Sequence, residues 1–114
     1  MGDGQGKGLA VVNLASGASA NRLVLAAVVA QVAALRYTPA GIPVLDVQLL
    51  HESEALEMGL PRKTRLEIKA LAFGSQAETL QAQALGQPLE FIGFLTNTRN
   101  GKGTVFHIQD FKPI

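Results

Sequence analysis

Two histidines, a short run of carboxylates and ten Lys/Arg side chains are the residues of this chain with the most chemical potential. His51 and His107 stand far apart, and there is no cysteine. Spacing therefore excludes a compact metal motif, and composition excludes thiolate ligands, disulfides and a cysteine nucleophile. A serine or threonine nucleophile would need an adjacent base oriented by a third group. Each histidine instead falls within an alternating apolar run. His51 shares its parity with Leu45, Val47 and Leu49, the pattern of a histidine at the edge of a core, satisfied by backbone. His107 reads the same way. Glu52, Glu54 and Glu57 cluster without a histidine partner, as a solvated acidic loop does. No catalytic residue, metal site or cofactor is expected, so the chain reads as a non-enzyme.

The cations form a more suggestive pattern. The formal net charge is only +1, so a footprint for a polyanion must come from local clustering. Three groups stand out: Arg36; then Arg62, Lys63, Arg65 and Lys69; then Arg99 and Lys102. A cation that meets a phosphate releases counterions, giving affinity without sequence preference. The competing reading is an ordinary solvated charged face, with Glu67 pairing to Arg65 or Lys69. Stacking residues are scarce, since aromatics make up 5% of the chain and tryptophan is absent. Tyr37, next to Arg36, is the leading stacking candidate. Phe106 is second, on the outward set of the last strand, with core or dimer interface as its alternatives.

These residues need a scaffold, and 114 residues suffice for one domain. A content of 47% hydrophobic and 17% charged residues argues for a folded chain. Residues 1–20, rich in Gly, Ala and Ser, read as a flexible leader or tag outside the core, and 21–114 as the folded domain. The apolar run Leu23–Leu35 is shorter than the ~20 residues needed to span a bilayer, so no membrane span is expected. The absence of cysteine is compatible with a reducing cytoplasm, the expected location.

Strand one covers about Arg22 to Val32. Its alanines allow a helix, but Val24, Val28, Val29 and Val32 favour a strand. Thr38–Pro43 is a turn, in which each proline fixes φ. Arg36 is placed in the loop before it. Strand two runs from Val44 to about Glu52, and Glu54–Lys63 reads as a loop broken at Gly59-Leu60-Pro61. Strand three, Thr64–Phe73, puts Leu66, Ile68 and Ala70 on a core and Arg65, Glu67 and Lys69 opposite. Ser75-Gln76-Ala77-Glu78 has capping-box spacing, and Gly86 suits a helix end. The helix between them has Ala77, Leu80, Ala84 and Leu85 as its buried stripe. Strand four is Leu89–Asn97, with Gly93 at a bend or bulge. Strand five is Thr104–Phe111, after an Asn100-Gly101 turn. The fold class is all-β with one short helix, β-β-β-α-β-β, a five-stranded OB-type barrel. In that fold the strand two–three face and the loops carrying Arg36 and Arg99 bind oligonucleotides.

Longer stretches also resemble a known family. Asn21-Arg22-Leu23-Val24-Leu25, the T-P-x-G-I-P segment Thr38–Pro43 after Arg36-Tyr37, and Leu50-His51-Glu52-Ser53 resemble primosomal replication protein N (PriB) sequences. Gly86–Leu95 and Phe106-His107-Ile108 stand at matching places. The resemblance covers roughly residues 21 to 112. It implies a homodimeric OB-fold protein related to bacterial single-stranded DNA-binding proteins. Its partners would be single-stranded DNA, the PriA helicase and, in some bacteria, a loader, DnaT. Carried over by position, Arg36, Arg62, Arg99 and Lys102 fall where the family places basic DNA contacts. Leu60 and Arg65 stand where better-known members carry stacking aromatics, and Glu52 replaces a basic position. The resemblance therefore implies a grip more electrostatic and more salt-sensitive than the family's usual one.

Two other readings stay open. One is an OB-fold adaptor that binds a helicase, with DNA contact weak or secondary. The other is a general single-stranded DNA-binding protein, disfavoured because no acidic tail follows strand five.

Overall fold

The computed structural model describes residues 20–114. The leader expected over residues 1–20 therefore lies outside the described residues, apart from Ala20. Six strands and one helix follow: β1 (Leu23–Val32), β2 (Arg36–Tyr37), β3 (Pro43–Glu57), β4 (Leu60–Phe73), α1 (Ser75–Gln81), β5 (Leu89–Asn97) and β6 (Thr104–Pro113). With β2 only two residues long, the expected order of five main strands and one helix holds. Neighbours run β1-β5-β6-β4-β3-β2, and a further β1–β3 pairing closes the five long strands into an OB barrel. Every pair is antiparallel except β4–β6. A parallel pair needs a long crossover, which α1 and β5 supply.

β1 serves two neighbours. Leu23–Ala27 pair with β5 and Val28–Val32 with β3, with a register shift between Val29 and Gln31. An extra residue of this kind bends a strand and increases its twist, so one valine-rich strand can turn a barrel corner. The β-branched residues suit that half-buried pleat better than the helix the alanines would allow.

Closure on the other side depends on Gly93. The β5–β6 register shifts between Ile92 and Gly93, where the sequence suggests a bend. A Cβ at Gly93 would sit 1.9 Å from the His107 carbonyl oxygen and 2.8 Å from a Phe106 ring carbon. Only glycine lets the strands approach this closely. The shift also changes the side-chain parity of β6. Phe106 and Ile108 point inward, and after the extra residue Gln109 so does Phe111, opposite Phe91. Phe106 is thus fully buried, a core residue rather than the outward stacking candidate the alternation suggests. Leu45, Leu49, Leu89 and Phe91 complete the centre of the core, each burial contributing about 1.5–3 kcal/mol.

Two expectations require correction. Glu54–Lys63 is not a loop: β3 and β4 continue as a hairpin to the closing pair Glu57–Leu60. Met58 and Gly59 form a two-residue turn, with φ of 52° and 78°, the positive pair that matches hairpin twist. From His51 to Leu66 the two strands pair only with each other. Pro61 is tolerated there because its outer edge faces no further strand. Second, Ser75 is not a helix cap. The cap position is Gly74, with no side-chain hydrogen bond, and the helix ends at Gln81. Ala77 and Leu80 pack on the barrel, whereas Ala84 and Leu85 are exposed. Gly86 does adopt φ 81°, but in the following loop, where its N–H donates to the Val29 carbonyl at 3.2 Å.

Candidate nucleic-acid interface

Strand pairing sets which side chains share a face. Directly opposite residues of an antiparallel pair project to the same side. On β3 and β4 the outward set is therefore Asp46, Gln48, Leu50, Glu52 and Glu54 with Leu71, Lys69, Glu67, Arg65 and Lys63. Arg62, one residue out of phase, lies on the opposite face of the hairpin from Lys63 and Arg65.

At the barrel end of the outward face is an open groove of about 750 Å³. Three of the sequence-predicted cations line it: Arg36 from β2, Lys69 from β4 and Arg99 from the β5–β6 loop. The T-P-x-G-I-P turn holds β2 in place. The Gly41 N–H donates to the Thr38 carbonyl and the Ile42 N–H to Thr38 Oγ1, so Arg36 is paired with Val44 instead of lying in a loop. Asp46 lies on the same strand as Val44. Arg36 donates to it from Nε at 2.6 Å and Nη2 at 3.2 Å, a two-point contact that fixes the guanidinium. The Asp46 hydrogen bond raises the Arg36 pKa despite an opposing effect of burial, so Arg36 stays charged. Alternation along β2 turns Tyr37 away from Arg36. It is 61% exposed and outside the groove lining.

Lys102 does not line this groove. It belongs to an adjoining depression of about 540 Å³ that shares Gln48, Lys69, Thr98 and Asn100 with it. The loop between β5 and β6 is shaped by Asn100, whose Oδ1 accepts from Thr98 Oγ1 and the Lys102 N–H.

The projecting hairpin holds the remaining candidates in a different setting. Arg65 is ion-paired with Glu52 directly across the ladder, and Arg62 with Glu57 at 2.7 Å. Glu67 accepts from Gln48 Nε2 at 2.8 Å, so it does not form the expected pair with Arg65 or Lys69. Lys63 faces Glu54 in register without an ion pair. Lys69, Arg99 and Lys102 likewise have no ion pair among the described residues. Leu60, where the resemblance implies a stacking aromatic in other members, is 67% exposed at the hairpin tip.

Both histidines are occupied. The carbonyl of Ala26 can only accept, so His51 Nδ1 donates to it at 2.6 Å, and Nε2 meets Ser53 Oγ at 2.8 Å. This is the backbone-satisfied core-edge histidine that the sequence suggests. His107, expected in the same backbone-satisfied setting, is instead held by aromatic rings: it stacks on Phe94 with ring centroids 4.7 Å apart, and Phe73 meets it edge-to-face at 4.7 Å. Burial lowers its pKa. Among the described residues no three His, Asp or Glu side chains converge as a metal site, and no helix is long and apolar enough to cross a membrane.

Sequence reasoning missed the Phe73–His107–Phe94 stack. A signal was present, because Phe73 shares the parity of Lys69 on the outward face. The contact itself depends on the parallel Leu71–His107 register, which alternation within single strands does not reveal.

A closed OB barrel is one architecture of the single-strand-binding proteins, and the chain matches that class. A family model described as "Another single-strand binding protein family" matches residues 21–110, and the fold is that of the single-stranded DNA-binding protein of Thermus aquaticus (TM-score 0.66, 22% identity, 82% of this chain and 50% of that one). Within that class the chain belongs to the PriB family of replication restart proteins. It is 51% identical over 93 residues to replication restart protein PriB of Neisseria meningitidis serogroup B, covering 81% of this chain and 92% of that protein. A solved PriB structure from Ralstonia solanacearum superposes with TM-score 0.75 at 36% identity, covering 83% and 98% of the two chains.

Proposed function

We propose that this chain is a non-catalytic accessory protein of replication restart in the cytoplasm. It would bind single-stranded DNA in the groove between the Arg36 turn and the Arg99 loop. The observation carrying this reading is the convergence of Arg36, Lys69 and Arg99, from three separate elements, on one groove. The groove lies on the face, and between the loops, that OB folds use for oligonucleotides. Lys102 extends the basic track into the adjoining depression. Lys63 and Arg65 continue it along the outward face of the hairpin. Tyr37 and Arg62 are the sequence candidates off this track, Tyr37 turned away from Arg36 and Arg62 on the other face of the hairpin. Family membership further supports a homodimer and the PriA helicase as partners, with a DnaT-type loader downstream.

Titration of fluorescein-labelled oligo-dT into the full chain tests the reading. Micromolar or tighter binding that weakens linearly in log–log salt plots is expected. Absence of binding at low salt, with the helicase present or absent, would sink it.

A second reading has its own support. Arg36, Arg62 and Arg65 are each held by a carboxylate, which lowers the positive potential available to phosphates. In this reading the chain is mainly an adaptor for the helicase. It requires helicase binding to persist when the groove cations are removed, and DNA affinity to rise sharply once helicase is added.

A further inference from the structure

We infer that Asp46 is a positioning residue for DNA binding: it aims Arg36, so this carboxylate in the groove strengthens the hold on phosphate instead of opposing it. The inference rests on the single-stranded DNA reading above and names what prepares one of its cations. Three observations support it. Asp46 and Arg36 both line the groove, with side chains 41% and 43% exposed, so the pair faces solvent where a strand would lie. Their contact differs from those of the hairpin. Asp46 accepts from both Nε and Nη2 of Arg36, whereas Arg62 and Arg65 each meet a carboxylate through Nη1 alone. Finally, the two ends of the pair are unequally anchored. Arg36 stands on a strand of two residues. Asp46 lies between the buried Leu45 and Val47, is in register with Leu71 on β4, and its carbonyl accepts from the Ala33 N–H at 2.9 Å.

A guanidinium carries five N–H donors in a rigid fork. Asp46 takes one N–H each from Nε and Nη2, so Nη1 and the other N–H of Nη2 have no hydrogen-bond partner among the described residues. A phosphate oxygen can accept from these in a charge-assisted contact. The arginine side chain has then already lost the rotamer freedom that binding would otherwise cost. Against this stands repulsion between the carboxylate and the phosphate. It acts across an open, hydrated groove, where salt screens it. The direct contact therefore outweighs the repulsion, and the sign of the effect on affinity separates an aiming carboxylate from one that merely competes for Arg36.

The experiment titrates oligo-dT over a range of salt into Asp46→Ala, Asp46→Glu and Arg36→Lys, and into Asp46→Ala in an Arg36→Ala background, with melting temperatures measured for each. Asp46→Ala should weaken binding about three- to tenfold at low salt, the cost of ordering one long side chain, although it makes the groove more positive. The log–log slope should fall by up to about 0.7, one phosphate contact on a single strand. Asp46→Glu keeps the carboxylate and should bind more tightly than Asp46→Ala. Arg36→Lys keeps the charge without the fork and should weaken binding as Asp46→Ala does. In the Arg36→Ala background, Asp46→Ala should instead raise affinity, because only the repulsion is left to remove. If Asp46→Ala binds as well as wild type or better, Asp46 only competes for Arg36, and the inference is overturned while DNA binding stands. Equal weakening in both backgrounds would show a structural role and overturn it likewise. Should Asp46→Ala melt lower than wild type, Arg36→Lys decides, and affinity within twofold of wild type sinks the inference. If wild type itself fails to bind, the underlying reading falls with it.

Discussion

The groove and the projecting hairpin lie on one continuous sheet and carry the same residue types, yet most of their cations sit in opposite surroundings. The exceptions are Arg36, which Asp46 holds in the groove, and Lys63, which has no ion pair on the hairpin among the described residues. In the groove, Lys69 and Arg99 have no carboxylate partner among the described residues, and the sheet behind them rests on Phe106 and the Gly93 closure. Along the hairpin a single register sets Glu52 against Arg65 and Glu54 against Lys63, with no core beneath. A positive residue is thus available to phosphate only where the ladder leaves it unopposed. Exposure alone does not decide this, since Arg65 and Glu52 are both 61% exposed and still paired.

The most severe way to break the comparison is to remove the groove's foundation. Gly93→Ala would place a methyl against the His107 carbonyl, a backbone atom that cannot swing aside. Overpacking of this kind costs about 1–3 kcal/mol or more, and in a domain of this size should lower the melting temperature by about 10 °C. Shortening the hairpin by replacing residues 54–63 with an Asn-Gly turn should lower it far less, because every residue removed is exposed. Thermal melts followed by circular dichroism measure both. Equal losses would mean that the hairpin is part of the folding unit.

The next largest effect concerns DNA. Lys69→Ala and Arg99→Ala should each weaken oligo-dT binding by about three- to tenfold at low salt and reduce the log–log slope by about 0.7. Arg62→Ala should do neither, since Arg62 projects from the opposite face of the hairpin and is neutralised by Glu57. If Arg62→Ala matches the groove variants, the DNA path runs along the hairpin's other face.

This contrast marks how far the sequence could be read. The barrel was legible because period-2 runs in β1, β3, β4, β5 and β6 were separated by turn residues with fixed chemistry. Arg36 and Arg99 could be expected on one side because the OB strand order brings the segments that carry them together, although Arg36 lies on β2 and not in a loop. The hairpin was not legible, because Gly59-Leu60-Pro61 has the composition of a break. Its strands hold together by pairing with each other, which composition does not record. Phe106 was misplaced for a related reason: the extra residue in β6 shifts parity, and only the partner strand fixes where that happens. The ion pairs Arg65–Glu52 and Arg62–Glu57 likewise follow from a register that no single segment contains.

A smaller substitution would sharpen the comparison by making the hairpin resemble the groove. Glu52→Gln keeps the size and polarity of the side chain but removes the charge opposite Arg65. Stability should hardly change, since exposed ion pairs contribute little. Oligo-dT affinity should rise about two- to threefold at low salt, with a steeper salt slope. The gain should vanish in the double variant with Arg65→Ala, which shows whether Arg65 is the cation released. An affinity gain that survives the double variant would assign it to general charge and not to this pair.

The smallest effect is one only the groove should show. Burial lowers the His107 pKa, so the folded state favours the neutral ring. Above the ordinary histidine value of about 6.5 neither folded nor unfolded chain binds this proton, and stability should not depend on it. As pH falls below that value the unfolded chain takes up the proton first, so stability declines until pH passes the lowered folded value. His107→Gln removes this component while leaving His51 in place. Urea midpoints measured between pH 7.5 and 5 should therefore fall more steeply for wild type than for His107→Gln. Parallel curves would mean that packing against Phe94 and Phe73 does not shield the His107 ring from water.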